Sequence, residues 1–359
     1  MKMEGWQPGN PGIVAALGAA FLFGASTPLA KWLLNDVSPW MLAGLLYLGS
    51  GLGLGIYRQL RGIARPRLMP GEMKWLVAAV GCGGVVAPVL LMWGLAALPA
   101  SHAALLLNAE AVLTAVLAWV VFRENVDQRI AVGMAAIVAG ALLLSWPSAG
   151  ASGVPVASLW PALAVMLACL FWALDNNFTR KVALSDASWI ACVKGLVAGT
   201  TNLLLAFAAG AALPGAFKIS VAMGVGLFAY GVSLALFVVA LRHLGASRAG
   251  AYFSTAPFWG ATLAVVFLAE PVTWQLLAAA LLMAAGLWLH LTEHHAHRHR
   301  HDFLEHEHRH THSSQTAGDG HHTHSHSPAF EGQHSHRHRH EPLTHSHAHY
   351  PDAHHRHGH

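Results

Sequence analysis

Two groups of side chains in this chain can do chemistry. One is sparse and lies in apolar surroundings: Glu110 in LLLNAEAVLTAVL, Asp175, Asn176 and Asn177 in FWALDNNFTRK, and Lys194 in IACVKGLV. The other is dense: 24 of the 27 histidines lie between His294 and His359, mostly as His-x-His. Glu110 sits about nine residues inside its apolar run, on the order of 13 Å deep at 1.5 Å per residue. A charged carboxylate in hydrocarbon costs a few kcal/mol, roughly, so such a residue faces a cavity or a partner. There it can exchange its charge for a proton or hold a substrate, and that reading is preferred. The alternative is a protonated packing carboxyl bonded to Asn108 or to a backbone carbonyl.

Asp175 and Lys194 have two readings of equal weight, a structural ion pair or a gate, and Asn176 and Asn177 are expected to line a pathway. His102 can ligate a metal or relay protons, although a lone histidine near a span end is more often half-solvated. Trp93 and Trp172 can wall a cavity or pack against neighbours and lipid. Pro28, Pro88 and Pro257 each remove a helical hydrogen bond and are candidate hinges or static kinks. The cysteines Cys82, Cys169 and Cys192 form no CxxC pair and read as small packing residues.

The elements that position these groups follow from composition. The chain is 55% hydrophobic and only 11% charged, against about 25% charged in soluble domains. Runs of about 20 apolar residues are the length of a membrane-spanning helix. Ten such runs cover roughly 11–34, 38–58, 74–98, 101–122, 128–147, 158–180, 188–210, 219–241, 245–268 and 272–291. Positive charge concentrates in alternate loops: Arg58, Arg61, Arg65, Arg67 and Lys74, then Arg123 and Arg129, then Arg180 and Lys181, then Arg242 and Arg248. The positive-inside rule then puts both termini in the cytoplasm of a multi-pass inner-membrane protein. No folded basic domain suggests nucleic-acid binding. Gly49, Gly51, Gly53 and Gly55 give the second span a small-residue face for close helix packing within one chain or in a homodimer.

The two halves repeat. At an offset of 146 residues, ASHAA at 100–104 falls on ASRAG at 246–250, Glu124 on Glu270, and AlaGly at 139–140 on AlaGly at 285–286. Five spans is an odd number, so the second copy crosses in the opposite sense. Inverted repeats are a signature of secondary transporters, which hold substrate between the copies and alternate access.

The landmarks FLFGASTPLAKW (21–32), LLLNAEAVLTAVLAWVVFREN (105–125) and STAPFWGATLAVVFLAEP (254–271) resemble those of drug/metabolite transporters of the EamA type. The resemblance covers about residues 11–291. It implies a ten-helix exporter of small solutes, with Glu124 and Glu270 as the glutamates just past the fourth and ninth spans. The departure is that Pro257 of span 9 has Ala111, preceded by Glu110, as its counterpart in span 4.

The expected architecture is therefore an all-α integral membrane protein of ten transmembrane helices in two inverted five-helix repeats. A cytoplasmic N-terminus (1–10) precedes the first repeat (11–147). An external linker (148–157) joins it to the second repeat (158–291), and a cytoplasmic, disordered tail (292–359) follows. The tail's metal-ligating candidates are His297, His299, His301, His306, His308, His310, His322, His324, His326, His334, His336, His338, His340, His345, His347 and His349. Neutral imidazole suits Zn, Ni, Co and Cu. HEHRH at 306–310 fits the zinc-protease pattern HExxH, but that motif works on a helix in a folded domain. No catalytic residue is assigned, no enzyme is expected and no cofactor is required. The expected function is secondary transport of a small molecule or metal across the lipid bilayer, with proton coupling through Glu110 and a tail that chelates divalent metal. The alternative is a membrane-anchored metal buffer or sensor whose spans are scaffold.

Overall fold

The computed structural model describes residues 11–63, 71–122, 128–145, 159–180, 186–291, 296–301, 304–312, 332–340 and 343–348. Glu124, the 148–157 linker, His322, His324, His326 and His349 lie outside them. The chain divides into two units, Met1–Glu293 and His294–His359.

Among its described residues, the regular elements of the first unit are helices, joined by short turns and irregular segments such as 34–38, 209–215 and 268–273. Its elements are α1 (Pro11–Leu33), α2 (Pro39–Leu60), α3 (Glu72–Ala79), α4 (Ala87–Ala97), α5 (Ala100–Leu106), α6 (Ala109–Phe122) and α7 (Gln128–Ser145). They continue with α8 (Trp160–Arg180), α9 (Ala187–Ala208), α10 (Ala216–Gly226), α11 (Ser233–Phe253), α12 (Ala256–Phe267) and α13 (Trp274–Leu291). Among the described residues, six stretches are long and apolar enough to cross a membrane: Pro11–Leu33, Pro39–Leu60, Glu72–Ala97, Trp160–Thr179, Ser188–Ala208 and Ala216–Ala240. Ala131–Ser145, Ala256–Phe267 and Trp274–Leu289 are shorter apolar helices.

Local chemistry sets the helix ends. Ser38 caps α2, its hydroxyl accepting from the Met41 amide, with Pro39 at the first helical position. Asp186 caps α9 through the amides of Ser188 and Trp189. The glycines of α2 face two neighbours inside the chain: a Cβ on Gly51 would come 2.6 Å from the Gly195 carbonyl carbon of α9, and one on Gly49 would come 2.2 Å from the Met223 carbonyl oxygen of α10. The backbones of α2 and α9 touch because Gly51 and Gly195 carry no side chain.

Two helices contain π-helical segments, Val80–Val86 between α3 and α4 and Leu227–Val232 between α10 and α11. Two others are interrupted, at Leu107–Asn108 between α5 and α6 and at Ser254–Thr255 between α11 and α12. One boundary differs from expectation. The loop anticipated between 241 and 245 is helical, and α11 runs unbroken from Ser233 to Phe253. The first half breaks at Leu98–Pro99, where proline cannot continue the helix. Its counterpart is Gly245, which weakens a helix without stopping it.

In the second unit the described residues pair as two antiparallel ladders: β1 (Ala296–His301) with β4 (Leu343–Ala348), and β2 (Leu304–His312) with β3 (Gly332–His340). His-x-His alternates with period two, the period of a strand.

Candidate functional site

The first unit's polar chemistry gathers around the π-helical segment Val80–Val86. A π turn frees carbonyls from the regular helical ladder, and those freed here are taken by neighbouring helices. The Gly83 carbonyl accepts from the Tyr47 hydroxyl at 2.7 Å and from Trp172 Nε1 at 3.0 Å. The Gly84 carbonyl accepts from Asn202 Nδ2 at 3.0 Å. Gly83 also makes room for Asp175: a Cβ there would fall 1.9 Å from Asp175 Oδ2. Asp175 is 4% exposed. Lys194 Nζ lies 2.5 Å from its Oδ2, and the Thr179 hydroxyl donates to its Oδ1 at 3.0 Å. Asp175 and Lys194 thus form an ion pair between α8 and α9 beside the π turn, an arrangement that fits either of their two readings.

Glu110, in the first turn of α6, is half-buried and accepts a hydrogen bond from Asn176 Nδ2 at 2.8 Å. Asn108 does not serve it. Asn108 Nδ2 donates to the Leu105 carbonyl at 2.9 Å and lies 3.8 Å from the Met283 sulfur. Asn177, two residues beyond Asp175, donates to the Ala173 carbonyl at 2.8 Å. The carbonyl oxygens of the buried Asn177 and Asn202 side chains have no hydrogen-bond partner.

One turn from the Glu110–Asn176 contact lies a small internal cavity. Its lining includes Phe23, Ser26 and Thr27 of α1, Leu107 at the α5–α6 interruption, Trp172 of α8 and Tyr230 of the second π segment. Leu107 precedes Glu110 by three residues and Trp172 precedes Asn176 by four, so each polar residue stands one helical turn from a lining residue. Aromatic rings surround this space. Phe23 meets Tyr230 edge-on at 5.7 Å, and Tyr47 stacks on Tyr230 at 5.6 Å.

Other candidates lie elsewhere. Trp93 is 40% exposed and packs edge-on against Trp40 at 5.9 Å. His102 stands in the first turn of α5, with Ser101 Oγ 3.4 Å from its Nδ1. That turn is held by Glu270, whose two carboxylate oxygens accept from the Ala100 amide at 2.5 Å and the Ser101 amide at 2.9 Å. A carboxylate there satisfies amides that the helix leaves free and meets the positive end of its dipole. Lys31 does the converse for α4, donating to the carbonyls of Leu95 at 2.8 Å and Ala96 at 2.9 Å. Pro28 lies inside the uninterrupted α1. Pro88 follows the first π segment at the start of α4, and Pro257 follows the Ser254–Thr255 interruption at the start of α12.

At the end of α2 remote from its Ser38 cap, Arg58 Nη1 lies 2.9 Å from Asp186 Oδ2 and also donates to the Ser188 hydroxyl. Partial burial of Asp186 opposes its charge. Hydrogen bonds from Ser188, Arg58 and the Trp189 amide outweigh that and hold its carboxyl down at about 2.

Sequence reasoning missed Tyr47, Asn202, Phe23, Ser26, Thr27 and Tyr230. The available signal was GlyCysGlyGly at 81–84, four small residues ahead of Pro88 in an otherwise bulky span. In the second unit, ten of the histidines named above stand in strands in mutual register, among them His306 with His338 and His297 with His347.

These features define a multi-pass helical membrane transporter. The model of the EamA-like transporter family matches the chain twice, over residues 10–146 and 159–292, and the chain belongs to that family. It is similar to an uncharacterized transporter of Methanothermobacter thermautotrophicus, 26% identical over 293 residues, spanning 77% of this chain and 85% of that protein. A solved crystal structure superposes with a TM-score of 0.58 at 18% identity, covering 77% of this chain and 95% of the other, a likeness of fold alone.

Proposed function

We propose that the protein is a secondary active exporter in which the aromatic-lined cavity is the cargo site and Glu110 its charged and proton-exchanging group. The observation that carries this reading is the Glu110–Asn176 hydrogen bond, one turn from a cavity lined by Ser26 and Leu107 of one half and Trp172 and Tyr230 of the other. Rings and aliphatic side chains beside one carboxylate suit a small organic solute bearing a cationic or hydrogen-bond-donating group. The lining's own polar side chains are Ser26, Thr27, Trp172 and Tyr230, with no histidine, cysteine or carboxylate among them, a poor set for a transition-metal ion.

The architecture proposed is ten spans in two inverted copies, with both termini cytoplasmic and alternating access at the seam. Three facts support it. The family model matches each half. The π segments Val80–Val86 and Leu227–Val232 fall at nearly the 146-residue offset of the repeat, and so do the two helix interruptions. Weakly bonded helical segments at paired positions are suited to rocking one half against the other. The histidine tail is proposed to chelate divalent transition metal at the cytoplasmic surface, as a buffer or sensor.

The test is untargeted mass spectrometry of the medium of cells expressing the full chain, Glu110→Gln at equal membrane level, or the chain stopped after Leu291. A basic organic solute is expected in the medium with the full and the stopped chains and is absent with Glu110→Gln. Identical media from the full chain and Glu110→Gln overturn the assignment of Glu110 and with it the cargo site.

A further inference from the structure

The helix α10 (Ala216–Gly226) is an arm half a span long. It joins the rest of its span through the π segment Leu227–Val232, whose Tyr230 lines the cavity. A π turn is a fault in the helical hydrogen-bond ladder, and helices kink at such faults. At 1.5 Å per residue, Lys218 in the first turn of the arm stands about 18 Å along the axis from Tyr230. The inner end of the arm is close-packed: a Cβ on Gly226 would fall 1.9 Å from the Leu46 carbonyl oxygen of α2. The outer end is not, and Phe217 there is exposed.

That outer end is tied to the first half of the chain. Lys218 forms an ion pair with Asp36 in the 34–38 segment. Its ammonium also stands 4.5 Å from the centre of the Trp32 ring, in the last turn of α1. One side chain of the second half therefore holds two groups of the first. The chemistry of the tie makes it reversible. The Asp36 side chain is 59% exposed, and ion pairs that water reaches are weak. The face of Trp32 attracts the ammonium and fixes where it rests. The Arg58–Asp186 pair at the other end of α2 is of a different kind. The Arg58 side chain is only 7% exposed, and its pair closes two helices whose backbones touch at Gly51 and Gly195. That contact is a fixture, whereas the Lys218 contact can release without unpacking a helix pair.

We propose that α10 is the external gate of the transporter, hinged at Leu227–Val232 and latched shut by Lys218 against Asp36 and Trp32. Release of Lys218 lets the arm swing about the π segment, and the swing draws Tyr230 from the cavity wall. The 34–38 and 209–215 segments lie at the end of the spans opposite the arginine-rich loops, which is the external end under the positive-inside rule. This inference rests on the reading of the cavity as an alternately accessible cargo site, and it adds the part that moves and the contact that holds it.

The experiment uses the full chain with Cys82, Cys169 and Cys192 replaced by alanine and Ser26→Cys as a reporter in the cavity wall. A membrane-impermeant maleimide is applied to right-side-out and to inverted vesicles at equal protein level. The chains compared are this parent, D36K, K218D and the exchange D36K/K218D. Either single change sets like charges against each other. The latch predicts that both raise the rate of external labelling about tenfold, that the exchange returns it to the parent rate, and that cytoplasmic labelling does not rise. Net charge alone moves D36K and K218D in opposite directions, since one adds two positive charges and the other two negative, and that result overturns the latch. A rise that the exchange does not reverse, or an equal rise from the cytoplasmic side, shows general loosening and overturns it as well. Single variants that label like a parent open to both sides remove the latch and leave alternating access standing. A reporter unlabelled from either side in every chain overturns the cargo site itself and the gate with it.

Discussion

The side-chain amide of Asn176 donates to the Glu110 carboxylate across 2.8 Å, tying the first turn of α6 to the α8 face that also carries Trp172. Each of the two residues stands one helical turn from a residue that lines the cavity, Trp172 and Leu107 respectively. A hydrogen bond to a charged group contributes about 1.5–3 kcal/mol. Asn176→Ala therefore lowers export of the solute that distinguishes the full chain from Glu110→Gln by about tenfold. Flux of that solute from loaded vesicles checks this, and an unchanged rate would place the contact outside the transport cycle.

Gly83 is fixed by its neighbour. A methyl group there would fall 1.9 Å from Asp175 Oδ2, whereas one on Gly81 meets nothing within 4 Å. Gly83→Ala is expected to cost about 1–3 kcal/mol through overpacking. Gly81→Ala is expected to leave stability unchanged. Thermal unfolding of the two variants in detergent reads the contrast directly.

Glu270 anchors the start of α5 across the length of the chain, accepting from the amides of Ala100 and Ser101. Glu270→Ala removes the anion at that terminus at a cost of about 0.5–2 kcal/mol. Glu270→Gln retains part of the bonding and falls between. Equal melting points for the parent and Glu270→Ala would show that the contact does not hold the helix.

Asp186 supplies an acid-sensitive clamp between the ends of α2 and α9. Its carboxyl is held at about 2, below the ordinary 3.8, so its stabilising effect is complete above that ordinary value. It is lost as pH falls through the folded value near 2. Asp186→Asn should therefore flatten the decline in melting temperature between about pH 4 and 2. A decline as steep in the variant as in the parent would assign acid lability to other carboxylates.

The sequence made the helices legible because membrane spans need long apolar runs, and the family landmarks fell on them. It exposed Glu110 and Asp175 as anomalies, since charge in an apolar span stands out. Asn176 as the partner of Glu110 was not legible, because the two lie 66 positions apart and only packing joins them. Tyr47 was similarly hidden, as was the carbonyl that Trp172 meets. Both side chains satisfy a carbonyl freed by a π turn, and a π turn leaves only a faint mark in GlyCysGlyGly. The unbroken α11 was misjudged because arginine and histidine at 242–243 suggest a loop, while the chain there lacks the proline that stops the first half at Pro99.

Alternating access predicts that the cavity lined by Ser26, Trp172 and Tyr230 opens in turn to each side of the membrane. It is tested by Ser26→Cys in a chain whose Cys82, Cys169 and Cys192 are replaced by alanine. A membrane-impermeant maleimide is applied to right-side-out and to inverted vesicles. Labelling from both sides, blocked by the exported solute, is the predicted result. Labelling from one side alone, or from neither, would contradict the account.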